Sequence, residues 1–346
     1  MVGLLLGACT TAQSAPGSAS PSVRAAPSSP VRPQTDAPSP SPEPTPVDAS
    51  VAAGLAFVRP VDGVEQVFVV EPDGFPRQVS GLGEWAAVPA VLPFWSRDRS
   101  MLALRPRSFG AGNQPQLMVV NADGSGQRAL DQVGENGGWS PDSRYLLFED
   151  SVLTTDTTGQ PARIWLLEVA TGEARVIGRG NVTQWLPDGE HISYVPVLSG
   201  PVGDTVPVMV LPLAGGAPFQ VAEAMAWWWS PDGEWLLLRQ PDGLYLAEPD
   251  GSNARFLVEG GNAAWSPDGT RIAFQHGITA EAEPLIGVVD LEGNVPWSGQ
   301  VATRPAWSPD GTRIAGEVGL TDSVVTILDA ANGEVLWELE GMDPAW

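Results

Sequence analysis

The sequence contains no lysine, one cysteine and two histidines in 346 residues. All 18 basic residues are therefore arginines, and 41 acidic residues bring the formal net charge to −23. Phosphate binding needs clustered cations, so this balance argues against nucleic acid or an anionic membrane surface as the main partner. We interpret the acidic surface as a means of keeping the protein soluble, with a cationic ligand as the alternative.

Cysteine and histidine are too few for several kinds of chemistry. Cys9 is the only cysteine, so no disulfide can form within the chain. His191 and His276 fall in different predicted strands, and no His/Cys set has the spacing of a metal site. The Gly-x-Ser-x-Gly elbow of serine hydrolases is also absent. We therefore expect no metal, no cofactor and no catalysis; the alternative is an enzyme that works through carboxylates.

Long apolar runs are missing too, because no segment approaches the roughly 20 apolar residues of a transmembrane helix. The short apolar run of residues 2–8 ends in Leu6-Gly7-Ala8-Cys9. This pattern resembles the lipobox of bacterial lipoproteins, which implies removal of residues 1–8 and attachment of lipid to Cys9. Because no basic segment precedes the run, either the true start of the protein lies upstream or the match is accidental. The lipobox predicts an extracytoplasmic protein that reaches the membrane only through its lipid.

Residues 10–50 consist almost wholly of Ala, Ser, Thr and Pro, with ten prolines and five charged residues. Such a segment cannot bury enough apolar surface to order itself. We interpret residues 9–50 as a lipidated cysteine followed by a disordered tether, which would hold a folded domain clear of the membrane. The folded domain is predicted to span residues 51–346.

One short motif, Trp-Ser-Pro-Asp-Gly, recurs through this domain, and we name it the Trp-turn. Pro, Asp and Gly favour a tight turn, and apolar runs flank the motif. Each copy therefore predicts a hairpin whose first strand ends in a tryptophan that wedges against a neighbouring sheet. The tryptophans are separated by 44, 46, 44, 36 and 42 residues, and Trp346 follows 39 residues later. The copies begin at Trp95, Trp139, Trp185, Trp229, Trp265 and Trp307, and the first three differ from the motif at one or two positions.

A period of about 40 residues with four predicted strands in each repeat indicates a β-propeller. The C-terminal segment 342–346 resembles Thr303-Arg304-Pro305-Ala306-Trp307, yet no turn follows it. Residues 54–57 supply the missing second strand at the other end of the chain. We therefore predict an all-β, seven-bladed propeller of four-stranded blades, closed by the C-terminal strand joining the N-terminal blade. We expect it to be a monomer.

The repeat also carries a family resemblance. The Trp-turn at Trp265, the following Arg271-Ile272-Ala273-Phe274, and Asp250-Gly251-Ser252-Asn253 at the end of another strand are similar to the TolB-type, WD40-like propeller repeat. Similar blades occur in the propellers of prolyl oligopeptidase-like enzymes. The resemblance covers essentially all of residues 51–346 and implies the fold, whereas propellers of this kind host many functions. Unlike TolB, the chain has seven predicted blades and no preceding α/β domain.

Strand direction alternates within a blade, so the Trp-turns and the turns between third and fourth strands lie on one rim, the turn rim. The opposite rim, the loop rim, carries segments that vary in length, including 81–93, 106–115, 150–161, 196–207 and 277–284. Variable loops on a rigid scaffold commonly bind ligands, so we predict a site on the loop rim or at the channel mouth beneath it. The candidates are Trp85, Arg107, Phe109, Glu135, Asn136, Asp150, Asp156, Asn181, Asp204, Trp227, His276 and Arg304.

Each candidate also has a structural alternative. Trp227 stands beside the Trp-turn, where packing between blades is the more common role, and His276 ends a strand, where a polar surface role is common. The aspartates of the Trp-turns are predicted to stabilise the turn rather than to bind Ca²⁺, because separated turns do not converge on one ion. We predict a binding or protein-interaction module with a protein or glycan partner. The alternative is a propeller hydrolase or lyase that acts on glycans or peptides.

Overall fold

The computed structural model describes residues 51–80, 91–106, 117–130, 135–150, 162–196, 204–277, 283–319 and 323–346. The chain divides into two units, Met1–Pro44 and Thr45–Trp346, and every described residue belongs to the second. In this part of the chain, 28 strands form seven four-stranded antiparallel sheets and no helix is present. No described helix, accordingly, could cross a bilayer.

Seven blades follow one another along the chain, numbered from the N-terminus. Blade 1 contains β1 (Ala56–Val61), β2 (Val64–Val70), β3 (Pro76–Gln78) and the C-terminal β28 (Met342–Ala345). Blade 2 contains β4 (Val91–Trp95), β5 (Met101–Pro106), β6 (Met118–Asn121) and β7 (Arg128–Ala129). Blade 3 contains β8 (Glu135–Trp139), β9 (Tyr145–Glu149), β10 (Arg163–Glu168) and β11 (Ala174–Arg179). Blade 4 contains β12 (Asn181–Trp185), β13 (His191–Val195), β14 (Val206–Pro212) and β15 (Phe219–Ala224).

The remaining blades repeat the same order. Blade 5 contains β16 (Ala226–Trp229), β17 (Leu236–Gln240), β18 (Gly243–Ala247) and β19 (Arg255–Val258). Blade 6 contains β20 (Ala263–Trp265), β21 (Arg271–His276), β22 (Leu285–Asp290) and β23 (Trp297–Val301). Blade 7 contains β24 (Thr303–Trp307), β25 (Arg313–Val318), β26 (Val324–Asp329) and β27 (Val335–Glu340). The predicted all-β, seven-bladed architecture is confirmed.

The ring closes in blade 1, which takes three strands from the N-terminal end of the second unit and one strand from its C-terminal end. Strand β28 pairs antiparallel with β1, with Ala345 opposite Ala56 and Met342 opposite Val58. Trp346 packs with Leu55 and Phe57 in a cluster that also includes residues of blade 7. The predicted closure is therefore confirmed, and it leaves no unpaired inner strand at the seam.

The Trp-turn is built by local hydrogen bonds. In blade 6 the buried Ser266 hydroxyl donates to Asp268 Oδ1 over 2.6 Å and accepts the Arg271 N–H over 2.9 Å. Asp268 Oδ1 also accepts the Thr270 N–H, and Gly269 takes the left-handed conformation at φ 70°. The turn aspartate is an acceptor within its own turn, as predicted.

The motif tryptophans join neighbouring blades. Four of them donate their indole N–H to a main-chain oxygen in the first strand of the preceding blade over 3.0–3.2 Å. Because each acceptor belongs to the residue just before the preceding motif tryptophan, the wedge repeats around the ring. The donor–acceptor pairs are Trp139 with Phe94, Trp185 with Gly138, Trp265 with Trp228, and Trp307 with Ala264.

Candidate functional site: the axial channel

A large cavity lies on the axis of the ring. Its volume is about 890 Å³, and residues from the first strands of all seven blades line it. These are the innermost strands, and neighbouring ones contact each other, as β8 does β12 and β28 does β4. Lining residues extend from Arg304, near the loop rim, to Arg97 in a Trp-turn, so the cavity runs along the axis towards the turn rim.

Aromatic side chains form much of the channel wall. Most of them keep part of their surface exposed because only one side packs between blades. Trp228, for example, packs against the blade 5–6 core and also borders the cavity. Such flat, partly exposed rings can stack on a sugar ring or on an apolar side chain. The partly exposed aromatic residues of the wall are Phe94, Trp95, Trp185, Trp228, Trp229 and Trp265.

Among the described residues, the charged side chains of the wall are three arginines and one aspartate, in a protein whose net charge is −23. Arg304 Nη1 is paired with Asp343 and lies 3.4 Å from Glu317 Oε2. The Arg304 side chain is 56% exposed, whereas that of Asp343 is 4% exposed. The guanidinium therefore compensates a buried carboxylate on one side and faces the cavity on the other. The other two arginines are Arg97 and Arg105.

The inner strands carry bulges that turn these side chains. Arg304 and Asp343 have φ values of 52° and 48°, and the register of each strand against its neighbour shifts at this place. Val182 stands at the same position of blade 4, three residues before the motif tryptophan, with φ 54°. A β-branched residue is rarely found in this conformation, which costs of order 1–3 kcal/mol. Asp343 N–H is held in the bulge by Glu317 Oε2 over 3.2 Å.

A cationic turn borders the channel on the blade 2 side. Arg99 lies over the ring of Trp95, with its guanidinium carbon 4.2 Å from the centroid, and donates to Gly54 O of blade 1 over 2.5 Å. Burial lowers the pKa of Arg99 to about 10. The pKa of Asp98 lies below its ordinary value of 3.8, because the Ser96 hydroxyl and then the Ser100 N–H donate to the carboxylate. Asp98 therefore stabilises its own turn, and Arg99 joins blade 2 to blade 1.

The structure places the predicted site residues unevenly. Arg304 lines the channel, and of the predicted candidates it is the one among the described residues that borders this cavity. Asp150 pairs with Arg163 at the loop-rim end of blade 3, and Asp204 is exposed. Trp85, Arg107, Phe109 and Asp156 lie outside the described residues, as do the side chains of Glu135 and Asn136 in β8.

Three candidates lie in interior or half-buried positions. Trp227 is 1% exposed and donates its indole N–H to Ser193 Oγ over 2.8 Å, so it packs between blades 4 and 5. Asn181 is 4% exposed at the start of β12. His276 is half-buried at the end of β21, with its ring 5.4 Å from Phe274. Its Nε2 is buried and has no hydrogen-bond partner within the described ranges.

Sequence reasoning missed most of the channel wall. Trp95, Trp185 and Trp265 were predicted as wedges between blades, and the structure shows that they also border the cavity. The position of the motif could have predicted this second role. The motif tryptophan ends the first strand of its blade, and the first strand is the innermost, so each motif tryptophan lies near the axis. Among the described residues, no group of three or more His, Cys, Asp or Glu side chains could hold a metal ion.

Known proteins share the architecture but show no family for this chain. No protein-family model matches it, and no curated protein does either. Among solved structures, TolB from Acinetobacter baumannii is similar at 13% identity and a TM-score of 0.51, over 84% of this chain and 82% of that one. Oligogalacturonate lyase from Vibrio parahaemolyticus is similar at 14% identity and a TM-score of 0.57, over 84% of this chain and 85% of that one.

A puromycin-hydrolysing peptidase from Mycobacterium tuberculosis is similar at 18% identity and a TM-score of 0.58. The match covers 87% of this chain but 55% of the peptidase. At such identities the similarity concerns the fold alone. TolB-like propellers are among the structural neighbours of this chain.

Proposed function

We propose that the protein is an extracytoplasmic, lipid-anchored propeller that works as a binding module, with its ligand in the axial channel. The observation that carries the proposal is the channel wall, where partly exposed tryptophans stand beside three arginines and one aspartate. A cavity of about 890 Å³ has the volume of a small-ligand site.

The wall favours an anionic ligand that has flat apolar faces. Arginine binds carboxylates in a fork-like geometry, and the tryptophan rings can stack on sugar faces. An acidic oligosaccharide combines both features, and we propose it as the ligand class. One of the structural neighbours is an oligogalacturonate lyase, which fits this choice. A protein partner that presents carboxylates is the alternative.

Titration with a short oligogalacturonate, followed by tryptophan fluorescence, tests this proposal. Arg105→Gln and Arg97→Gln should each weaken binding about tenfold, because each removes a charge-assisted contact. Arg175→Gln is the matched control, since this exposed arginine lies in β11, an outer strand, and should leave binding unchanged. Equal binding of a neutral oligosaccharide, or equal loss in all three variants, would contradict an anionic ligand in the channel.

The same titration separates binding from catalysis. A binding module should return the oligosaccharide unchanged after prolonged incubation. Shortened or unsaturated products would favour the enzyme instead, and Asp343 and Glu317, which both contact Arg304 at the cavity, would then be the first carboxylates to replace.

The anchor is tested separately. Cys9→Ser should move the protein from the membrane fraction to the soluble fraction, because a serine cannot take the thioether lipid on which the proposed anchoring depends. Cell fractionation followed by immunoblotting measures the change, with Ser14→Ala in the proposed tether as the control. Unchanged membrane association of the Cys9→Ser protein would show that the lipobox interpretation is wrong.

A further inference from the structure

At four interfaces of the described chain, a side chain of the outermost strand donates a hydrogen bond to a main-chain oxygen of the next blade, and we name this contact the clasp. Arg77 in β3 donates to Ala122 O of blade 2 over 2.9 Å, and Trp297 in β23 donates to Ala330 O of blade 7 over 3.0 Å. Arg128 of blade 2 and Arg255 of blade 5 make the same bond to Val169 O and Leu291 O. In each case the acceptor is the first residue after the third strand of the next blade.

At the interface between blades 4 and 5 this position holds a phenylalanine. Phe219 faces Val210 across the outer strand pair, as Arg255 faces Leu246 and Arg128 faces Val119 in their own blades. Phenylalanine has no donor, so the clasp cannot form here. The side chain is 49% exposed instead.

Blade 5 keeps the main-chain oxygen that would accept the clasp, although blade 4 offers no arginine to it. Gly251 N–H donates to Glu248 O in blade 5, as Gly124 N–H donates to Asn121 O in blade 2. Pro249 in blade 5 therefore corresponds to Ala122, whose carbonyl oxygen receives the guanidinium of Arg77. Pro249 is exposed at the turn rim.

A groove of about 460 Å³ opens at this interface. Phe219, Val221 and Trp229 give it an apolar wall, and Pro249 lies on its border. Among the described residues, the titratable side chains of the groove are three aspartates and one histidine: Asp188, Asp232, Asp250 and His191. His191 Nδ1 lies 2.7 Å from Asp188 Oδ2, so this histidine is paired with one of the carboxylates.

We propose that the groove between blades 4 and 5 binds an arginine side chain presented by a partner protein. The guanidinium would take the place of the missing clasp beside Pro249, where the ring uses its own arginines at three other interfaces. The aspartates at the groove complement its charge, and the apolar stem can lie along Phe219 and Trp229. This site opens at the interface between blades 4 and 5 and takes a ligand of opposite charge to the one proposed for the axial channel, although Pro187, Trp229 and Pro231 border both cavities.

A pair of surface variants tests the proposal with the full chain. The probe is an acetylated and amidated peptide, Ala-Leu-Arg-Leu-Ala, and its isosteric partner carries citrulline in place of arginine. Phe219→Arg should fill the groove with the ring's own clasp and weaken binding of the arginine peptide at least about tenfold in calorimetry. Phe256→Arg is the matched control: Phe256 is 51% exposed on β19, outside the groove, and the variant adds the same charge.

The outcomes separate a site from general attraction to an acidic protein. The proposal expects the citrulline peptide to bind at least about tenfold more weakly, and Phe256→Arg to bind like the unaltered protein. Asp232→Asn, which keeps an oxygen for the turn hydrogen bonds, should also weaken binding. Equal binding of the two peptides, equal loss in both arginine variants, or full binding by Phe219→Arg would each overturn the proposal.

Discussion

The aspartates of the Trp-turns show how single residues stabilise the ring. At Asp142, Asp232, Asp268 and Asp310 partial burial raises the pKa, but the hydroxyl of the motif serine and the N–H groups of the turn outweigh it and lower the pKa. The pKa of Asp98 is lowered by the same donors. A carboxylate whose pKa is lower in the folded protein stabilises the fold above its unfolded pKa, and this contribution is lost as the pH falls through the folded pKa.

We therefore expect the melting temperature to fall as the pH is lowered below about 4, the region of the ordinary aspartate pKa. The measurement is thermal unfolding by circular dichroism across the acidic range. A variant with Asn at positions 98, 142, 232, 268 and 310 should lose less stability over the same interval. An identical pH dependence in that variant would assign the acid sensitivity to other carboxylates.

Gly269 supplies a second prediction at this scale. Its φ of 70° is unfavourable for any residue with a Cβ, and an added Cβ would stand 3.3 Å from Asp232 Oδ2 of the neighbouring turn. Gly269→Val should therefore destabilise the fold by about 1–3 kcal/mol, measured by chemical unfolding. Gly138→Ala is the control, since Gly138 has no positive φ and open space around its Cβ position, and it should change stability little. Comparable losses in both variants would contradict the turn argument.

At the scale of elements, the C-terminal strand β28 closes the ring. It supplies the inner strand of blade 1, and Arg304 of β24 pairs with its Asp343. Trp346 packs with Leu55 and Phe57 directly after it. A strand held by hydrogen bonds, an ion pair and an aromatic wedge should carry far more stability than its four residues suggest.

Deleting residues 342–346 should lower the melting temperature much more than deleting five residues from the 10–50 segment. Loss of a large buried aromatic side chain alone costs about 3–5 kcal/mol, and Trp346 is partly buried, so its own share lies below that range. The lost strand also leaves the inner edge of β1 unpaired. Calorimetric melting of the two truncated proteins provides the comparison. Equal melting temperatures would mean that β28 does not close the ring in solution.

At the scale of the whole molecule, two openings with opposite charge preference lie in one acidic ring. Among the described residues, the channel wall has three arginines and one aspartate, whereas the groove between blades 4 and 5 has three aspartates and a histidine. Pro187, Trp229 and Pro231 border both, so the two openings share part of one wall. This arrangement would let the ring hold an anionic ligand on its axis and a basic partner at its turn rim.

The sequence by itself determined the blade number, the strand order and the closure. These features depend on local chemistry that recurs with a regular period: Ser266, Asp268 and Gly269 make their turn with residues no more than five positions away. Trp346 completes the count because a strand without its turn needs a partner elsewhere in the ring. The apolar run after each Trp-turn also predicts strand bounds: it predicts Tyr145–Glu149 and His191–Val195, and β9 and β13 have these same bounds.

Only the tertiary structure decided which side chains form the channel and the groove. Inner strands β8, β12, β24 and β28 contain bulges or register shifts, so simple alternation does not tell which way a residue such as Arg304 points. Arg304 meets Asp343, 39 positions along the chain, only because the ring closes. The groove likewise exists because Phe219 stands where other blades carry a donor, and this correspondence depends on the pairing register with Val210. The motif predicts that its tryptophans pack between blades, but which other side chains meet at the channel and the groove is set by packing around the ring.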